Sequence, residues 1–264
     1  MGTELTLPEI KSTAFQTLLH FRKFCEEQGI RFLLSNGTLL GAVKYGGFIP
    51  WDDDVDVFVP REDYNRLLER YQDSESYRLF SPERNPRYRY TFAKLCNMAT
   101  VKEEDNIDNG VVLGVDIDIF PLDSCTEHIL KPGVQRRLRL LQMGCVLAKF
   151  RSGGGRSLPK RLGIGVCRGL GYDWFARRLT KQIRREGSRG ATHAGCLMWP
   201  IYGVREVLPM EIFSHTVEVT FEGEKFPAPV GYDAYLRSLY GNYEEDPPVE
   251  KQKSHHSYRA YRKS

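Results

Sequence analysis

What the chain lacks narrows its class before what it contains. None of its six cysteines (Cys25, Cys96, Cys125, Cys145, Cys167 and Cys196) stands in a CxxC pair, which argues against a thiolate zinc site. Cys25, Cys145 and Cys167 lie among apolar neighbours, where a thiol behaves as a small hydrophobe. The residues after Met1 lack the apolar core and cleavage site of a signal peptide, so the expectation is a reducing, cytoplasmic setting. No apolar run approaches the roughly 20 residues that a bilayer span requires. No internal repeat is present. Acids are nearly missing from one stretch: residues 131–189 hold sixteen Lys and Arg against Asp173 and Glu186. That segment carries +14 and the remainder −10, behind a net charge of only +4. Such asymmetry predicts a surface that meets something anionic.

The 264 residues suit one large domain or two small ones. Hydrophobic residues make up 41 %, with 14 Phe, 14 Tyr and 3 Trp, enough apolar mass for a core and against wholesale disorder. Ile10, Ala14, Leu18, Phe21 and Cys25 recur at helical spacing, which predicts a helix over about 7–28 that Gly29 stops. A short strand is expected at 31–34, a turn at Ser35-Asn36-Gly37, and a helix from Thr38 with Thr38 as its cap. After Tyr45-Gly46-Gly47 comes the stretch Trp51-Asp52-Asp53-Asp54-Val55-Asp56-Val57-Phe58-Val59, read as an acidic strand ended by Pro60. A helix follows from Arg61, then strands near 90–95 and 111–120. The basic segment reads as helices interrupted by a loop at Gly153-Gly154-Gly155. A strand at 217–221, a turn at Glu222-Gly223 and a helix at 232–239 precede a polar tail with His255 and His256.

The chemistry starts at Asp54 and Asp56. On a strand, residues i and i+2 share a face with Cα atoms roughly 6.5–7 Å apart, so two carboxylates can hold a hard cation between them. Unpaired carboxylates beside an apolar run are costly unless a cation or base balances them. In a second stretch, Gly114-Val115-Asp116-Ile117-Asp118-Ile119-Phe120, Asp116 and Asp118 again share a face. One of them joins the site as ligand or base if the strands pair, leaving the other as an ordinary surface acid. Gly37 and Thr38 sit at a helix start, where exposed N–H groups favour a phosphate.

A Gly-[Gly/Ser/Thr] helix start, an Asp-x-Asp strand and a later strand with a third Asp resemble the nucleotidyltransferase superfamily. The run SNGTLLGAVKYGGFIPWDDDVDVFVPREDY closely resembles the signature of the LicD family, the phosphocholine-type transferases related to fukutin and fukutin-related protein. GVDIDIFPLD resembles that family's second motif, which has an apolar residue where this chain has Asp116, so Asp118 is the better third carboxylate. FEGEKFPAPVGYDAYLRSLYGNYEEDPP, with Lys251, His255 and His256 beyond it, resembles the C-terminal block. The stretch from about 127 to 215 matches no motif. The resemblance implies transfer of a phospho-alcohol, such as phosphocholine, from a CDP-activated donor such as CDP-choline. The acceptor is a hydroxyl on a cell-surface glycan or its polyprenyl-linked precursor, and CMP is released.

The resemblance also implies roles for particular residues. Asp54, Asp56 and Asp118 are the metal and catalytic set, with Mg²⁺, or Mn²⁺ as the alternative. Gly37, Thr38 and Lys94 meet the donor's phosphates, and Asp52 and Asp53 support the loop. Arg61 pairs with one of these acids or forms an ordinary ion pair at its helix cap, and His255 and His256 reach the donor or the metal or stand as a solvent-exposed pair. The expected fold is α+β: a nucleotidyltransferase-like mixed sheet flanked by helices, with a helical basic second half. The divisions are 1–124 for the catalytic core, 125–215 for a basic acceptor- or membrane-proximal region, and 216–264 for a strand-helix block that completes the core. Trp174-Phe175 beside Arg177-Arg178 suits an interfacial anchor as well as it suits a core, so peripheral contact with the inner face of the plasma membrane is expected. Nucleic acid is not expected as a partner.

Two rivals remain. A GT-A glycosyltransferase would require a Rossmann-like half before the Asp-x-Asp, and only about fifty residues precede Asp54. A non-catalytic scaffold of the same fold would not need Asp54, Asp56 and Asp118 together.

Overall fold

The structure is a computed structural model that describes residues 2–151, 157–187, 190–254 and 258–263. The predicted loop at Gly153-Gly154-Gly155 and the pair His255 and His256 lie outside the described residues.

The architecture is α+β, as expected. Helix α1 (Leu7–Gln28) buries Ile10, Ala14, Leu18, Phe21 and Cys25 along one face and ends at Gly29 with φ of 62°, a left-handed stop that glycine adopts without strain. A two-residue strand β1 (Leu33–Leu34) leads to α2 (Asn36–Tyr45), β2 (Asp56–Pro60) and α3 (Arg61–Arg70). Strands β3 (Tyr77–Phe80), β4 (Ala93–Glu104) and β5 (Leu113–Cys125) complete the centre. Three helices follow: α4 (Pro132–Lys149), α5 (Leu158–Leu170) and α6 (Tyr172–Glu186). Short strands β6 (His193–Gly195) and β7 (Val207–Pro209), the hairpin β8 (Thr216–Phe221) and β9 (Glu224–Pro229), α7 (Tyr232–Tyr240) and β10 (Tyr258–Arg262) follow in turn.

The main sheet is mixed and runs β1-β2-β5-β4-β10, with β3 on β4 and β6 joining β5 to β7. Its one parallel pair is β2 with β5, and the other pairs among the described residues are antiparallel. Phe58, Ile117, Ile119, Leu95 and Phe120 are buried in the largest apolar cluster, which α1, α7 and the β8-β9 hairpin help to form. Two smaller clusters lie under α4 and α6. Phe175 belongs to one of them and is 8 % exposed, and Gly144 is a glycine because a Cβ there would fall 2.1 Å from the Phe175 ring. Phe175 is therefore core, and Trp174 is half-buried against the same cluster. All six cysteines are free thiols. No helix among the described residues is long and apolar enough to cross a membrane.

Two local expectations need correction. Thr38 is not the helix cap: α2 begins at Asn36, with Ser35 in the extended cap position. The acidic strand begins at Asp56 and not at Trp51, so residues 52–55 form a loop. Strand alternation therefore does not place Asp54 beside Asp56.

Glu206 is a buried acid, 1 % exposed, whose Oε1 accepts the Tyr202 N–H at 2.6 Å. Burial pushes its carboxyl up to about 8. Between an unfolded value of about 4.5 and that folded value, the unfolded chain releases a proton that the folded one keeps, so this group's stabilisation is present at low pH and lost as pH rises. Glu206→Gln removes that dependence. Urea melts at pH 5 and pH 8 should show the variant gaining on wild type as pH rises, and an unchanged difference would place the ionisation elsewhere.

Candidate active site

Three paired strands set one row of side chains. Asp56 on β2 stands opposite Asp118 on β5, and Asp118 stands opposite Lys94 on β4. Directly paired residues share a sheet face, and neighbouring strands lie about 4.8 Å apart, so the three side chains are adjacent. Lys94 is 3 % exposed and pairs with Asp118, and its Nζ lies 2.9 Å from Asp116 Oδ2. Asp116 also receives Lys102 Nζ at 2.8 Å. Burial alone would lift the Asp116 carboxyl, but Lys102 and Lys94 outweigh it and bring it down to about 2. Asp116 is thus a buried acid between two lysines, contrary to its reading as the surface partner of Asp118. Burial raises Asp118, against the opposing pull of Lys94.

Asp56 is 7 % exposed. Burial raises its carboxyl well above the usual range, and the charges of Asp54, Asp118 and Asp52 add to that in this order. Its backbone is held at both ends. The Asp56 N–H donates to Thr38 Oγ1 at 2.8 Å, and its carbonyl accepts the Ser35 N–H at 3.1 Å. Thr38 thus fixes the start of the acidic strand from one turn inside α2. Gly37 faces the loop, and a Cβ there would sit 2.7 Å from Asp52 Oδ2. The glycine lets the loop close onto the helix start.

The loop itself gathers Asp52, Asp53 and Asp54, each offering an oxygen within 4.8 Å of the others'. This tight set differs from the expected trio of Asp54, Asp56 and Asp118. Asp53 Oδ1 accepts the Ser254 hydroxyl at 2.8 Å, and the Tyr258 hydroxyl reaches the Asp53 carbonyl at 3.5 Å. Lys11 on α1 donates to the Ile49 and Pro50 carbonyls at 2.9 and 3.0 Å and clamps the loop's entry. Asn36 adopts φ of 45°, and its Oδ1 accepts the buried Tyr235 hydroxyl at 2.7 Å, so α7 braces the turn before α2.

Arg61 does not pair with the loop acids. It holds Asp123 through two bonds, Nε to Oδ1 at 2.7 Å and Nη2 to Oδ2 at 2.9 Å, which ties α3 to the end of β5. Lys149, from α4, places its ammonium 3.1 Å from the centre of the Tyr90 ring, and burial pushes it down to about 7. A cavity of about 820 Å³ lies against α6, where Arg177, Lys181, Arg184 and Arg185 line it with Tyr88 and Tyr172. Tyr88 lies close enough to the row to feel the charge of Asp118. Sequence reasoning missed Lys102, Ser254, Tyr235 and Lys149. Tyr235 alone carried a signal, as the buried-face tyrosine of the C-terminal block.

The arrangement joins a glycine-bearing helix start, an acidic loop and a carboxylate on a neighbouring strand. Residues 29–136 match the family described as LicD/FKTN/FKRP, nucleotidyltransferase domain. The chain is 27 % identical over 264 residues to the lipopolysaccharide cholinephosphotransferase LicD of Haemophilus influenzae, covering 98 % of each chain. It is also 50 % identical over 38 residues to the ribitol 5-phosphate transferase FKRP of Homo sapiens and of Mus musculus, a match that spans 14 % of this chain and 8 % of theirs. Residues 29–136 are thus similar to a LicD-family nucleotidyltransferase domain, and the likeness to the Haemophilus influenzae protein runs nearly the length of both chains.

Breaking a buried ion pair by removing one partner typically costs about 3–5 kcal/mol, because a charge is left uncompensated. Lys94→Met should destabilise the fold by that order, read as a lower urea midpoint at neutral pH. A midpoint equal to wild type would show that Lys102 alone satisfies both acids.

Proposed function

We propose that the chain transfers a phospho-alcohol group, phosphocholine or a close analogue, from a CDP-activated donor to a hydroxyl of a glycan or its lipid-linked precursor, releasing CMP. The observation that carries this reading is the row Asp56, Asp118 and Lys94 beside the acidic loop, within the matched domain. The names of the relatives, a cholinephosphotransferase acting on lipopolysaccharide and a ribitol 5-phosphate transferase, support it.

The residues fit a divalent cation. All the donors are hard carboxylate oxygens, Asp52, Asp53 and Asp54 crowd within 4.8 Å, and Asp56 is raised by burial and by its acidic neighbours. Asp54, Asp56 and Asp118 would hold Mg²⁺ or Mn²⁺, with Asp52 and Asp53 supporting the loop. Bound there, the ion supplies charge neutralisation for the diphosphate and the leaving oxygen.

The chain's own groups orient and move the proton. The acceptor oxygen attacks the phosphorus distal to cytidine, the bond to the CMP oxygen breaks, and the acceptor proton passes to the Asp118 carboxylate. That carboxylate suits the task because burial raises it above the ordinary range. Lys94 holds Asp118 in place and sets positive charge beside the transferred phosphate. Gly37 and the first N–H groups of α2 lie where phosphate oxygens can approach. The cations along α6 favour an anionic acceptor.

The test is a donor panel of CDP-choline, CDP-ribitol, CDP-glycerol and UDP- and GDP-sugars, with lipopolysaccharide as acceptor and Mg²⁺ present, followed by nucleotide release. CMP should appear from one of the CDP-alcohols. Asp56→Asn should lower its release by about a hundredfold or more and keep a cooperative melt. UMP or GDP release instead, or full turnover by Asp56→Asn, would sink the assignment.

A further inference from the structure

Helix α5 faces the wrong way for a helix of a water-soluble surface. Leu158, Leu162, Val166 and Leu170 are 67 %, 64 %, 63 % and 46 % exposed. They recur every four residues, so at roughly 100° per residue they cover about 120° of arc. Pro159, Gly163, Gly165 and Gly169 fill or border the same arc, so no charge interrupts it. Ile164, on the opposite side, is the helix's one fully buried residue. The protein core is therefore served by Ile164 and the half-buried Cys167, and the larger apolar face is turned outward.

The charges of α5 are of one sign. The helix holds Lys160, Arg161 and Arg168 and no acid. At the same angular step, Arg161 and Arg168 fall on one flank of the apolar arc and Lys160 on the other. An apolar face flanked on both sides by long cations, here roughly 60–80° beyond the arc, is the pattern of a helix lying in a headgroup layer, where the leucines enter the acyl boundary and the cations reach out to lipid phosphates. Pairing with a second copy of the same face would set these cations against each other with no acid on either helix to balance them.

We infer that α5 is a membrane-docking helix, which lays Leu158, Leu162, Val166 and Leu170 into the surface of an anionic bilayer. The inference deepens the proposed function, because a lipid-carried acceptor presents its hydroxyl at such a surface. It shifts the location of the anchor: Phe175 is buried with Trp174 half-buried against it, and the exposed apolar face lies one helix earlier.

The test is co-sedimentation with vesicles of phosphatidylglycerol and, separately, of phosphatidylcholine. Three basic residues near the surface predict about a hundredfold preference for the anionic vesicles at low salt, falling as salt is raised. Leu162→Glu with Val166→Glu should weaken binding to phosphatidylglycerol by about tenfold or more. Both positions are more than 60 % exposed, so the melting temperature should hold. Arg161→Glu with Arg168→Glu should abolish the preference for anionic lipid. Asp56→Asn should bind vesicles as wild type does, so a failed transfer assay and a failed docking helix give different results. Equal binding to both lipids, undiminished binding by the glutamate pair, or a dimer that this pair converts to monomer would each overturn the inference.

Discussion

The buried ammonium of Lys94 is the interaction on which the arrangement depends. Three strands bring Asp56, Asp118 and Lys94 into one row, and Asp116 stands on the same face two residues before Asp118. Three carboxylates on one face of a largely buried sheet would be prohibitive without compensation. Lys94 and Lys102 supply it: one ammonium spans Asp116 and Asp118, and the other completes Asp116. Asp118 can remain in the centre of the sheet because it is paired on one side. Asp56 has no such partner within the row, and its carboxyl rises accordingly. The contrast between a satisfied acid and a frustrated one, side by side on parallel strands, makes the pair a candidate for holding a cation.

Position is enforced by the backbone as much as by charge. Thr38 and Ser35 hold the N–H and the carbonyl of Asp56. The helix start therefore acts as a clamp on the first residue of the strand, and Gly37 leaves room for Asp52 beside it. Tyr235 fixes the same turn from α7. The C-terminal block thus supports the site through a buried hydroxyl.

Periodic features of the sequence were legible. The face of α1, its glycine stop, strand β8 with the turn after it, and α7 follow from spacing and turn residues. The two acidic stretches do pair as neighbouring strands, with Asp56 opposite Asp118. Register was not legible, because no local signal says that β2 and β5 run parallel or that Lys94 completes the row. The four aspartates misled in one respect: a period-2 argument assumes an extended chain, and the chain from Asp52 to Val55 is a loop against α2. The role of Asp116 depends on Lys102, which reaches it from beyond an irregularity in β4 between Asn97 and Lys102. Arg61 finds Asp123 across 62 residues, a distance at which charge patterning says nothing. In the basic segment, composition predicted an anionic partner but could not say which helix turns its leucines outward, since burial is decided by what α4 and α6 cover.

The Ser254 hydroxyl meets Asp53 across 201 residues of chain, and β10 just beyond pairs with β4. Contacts of such sequence separation carry a large loop-closure entropy and form only when most of the fold is in place. The acidic loop therefore belongs to the same cooperative unit as a strand nearly the whole chain away. A fault that loosens β10 would be felt as a change in the electrostatics of the site before it was felt as a loss of secondary structure.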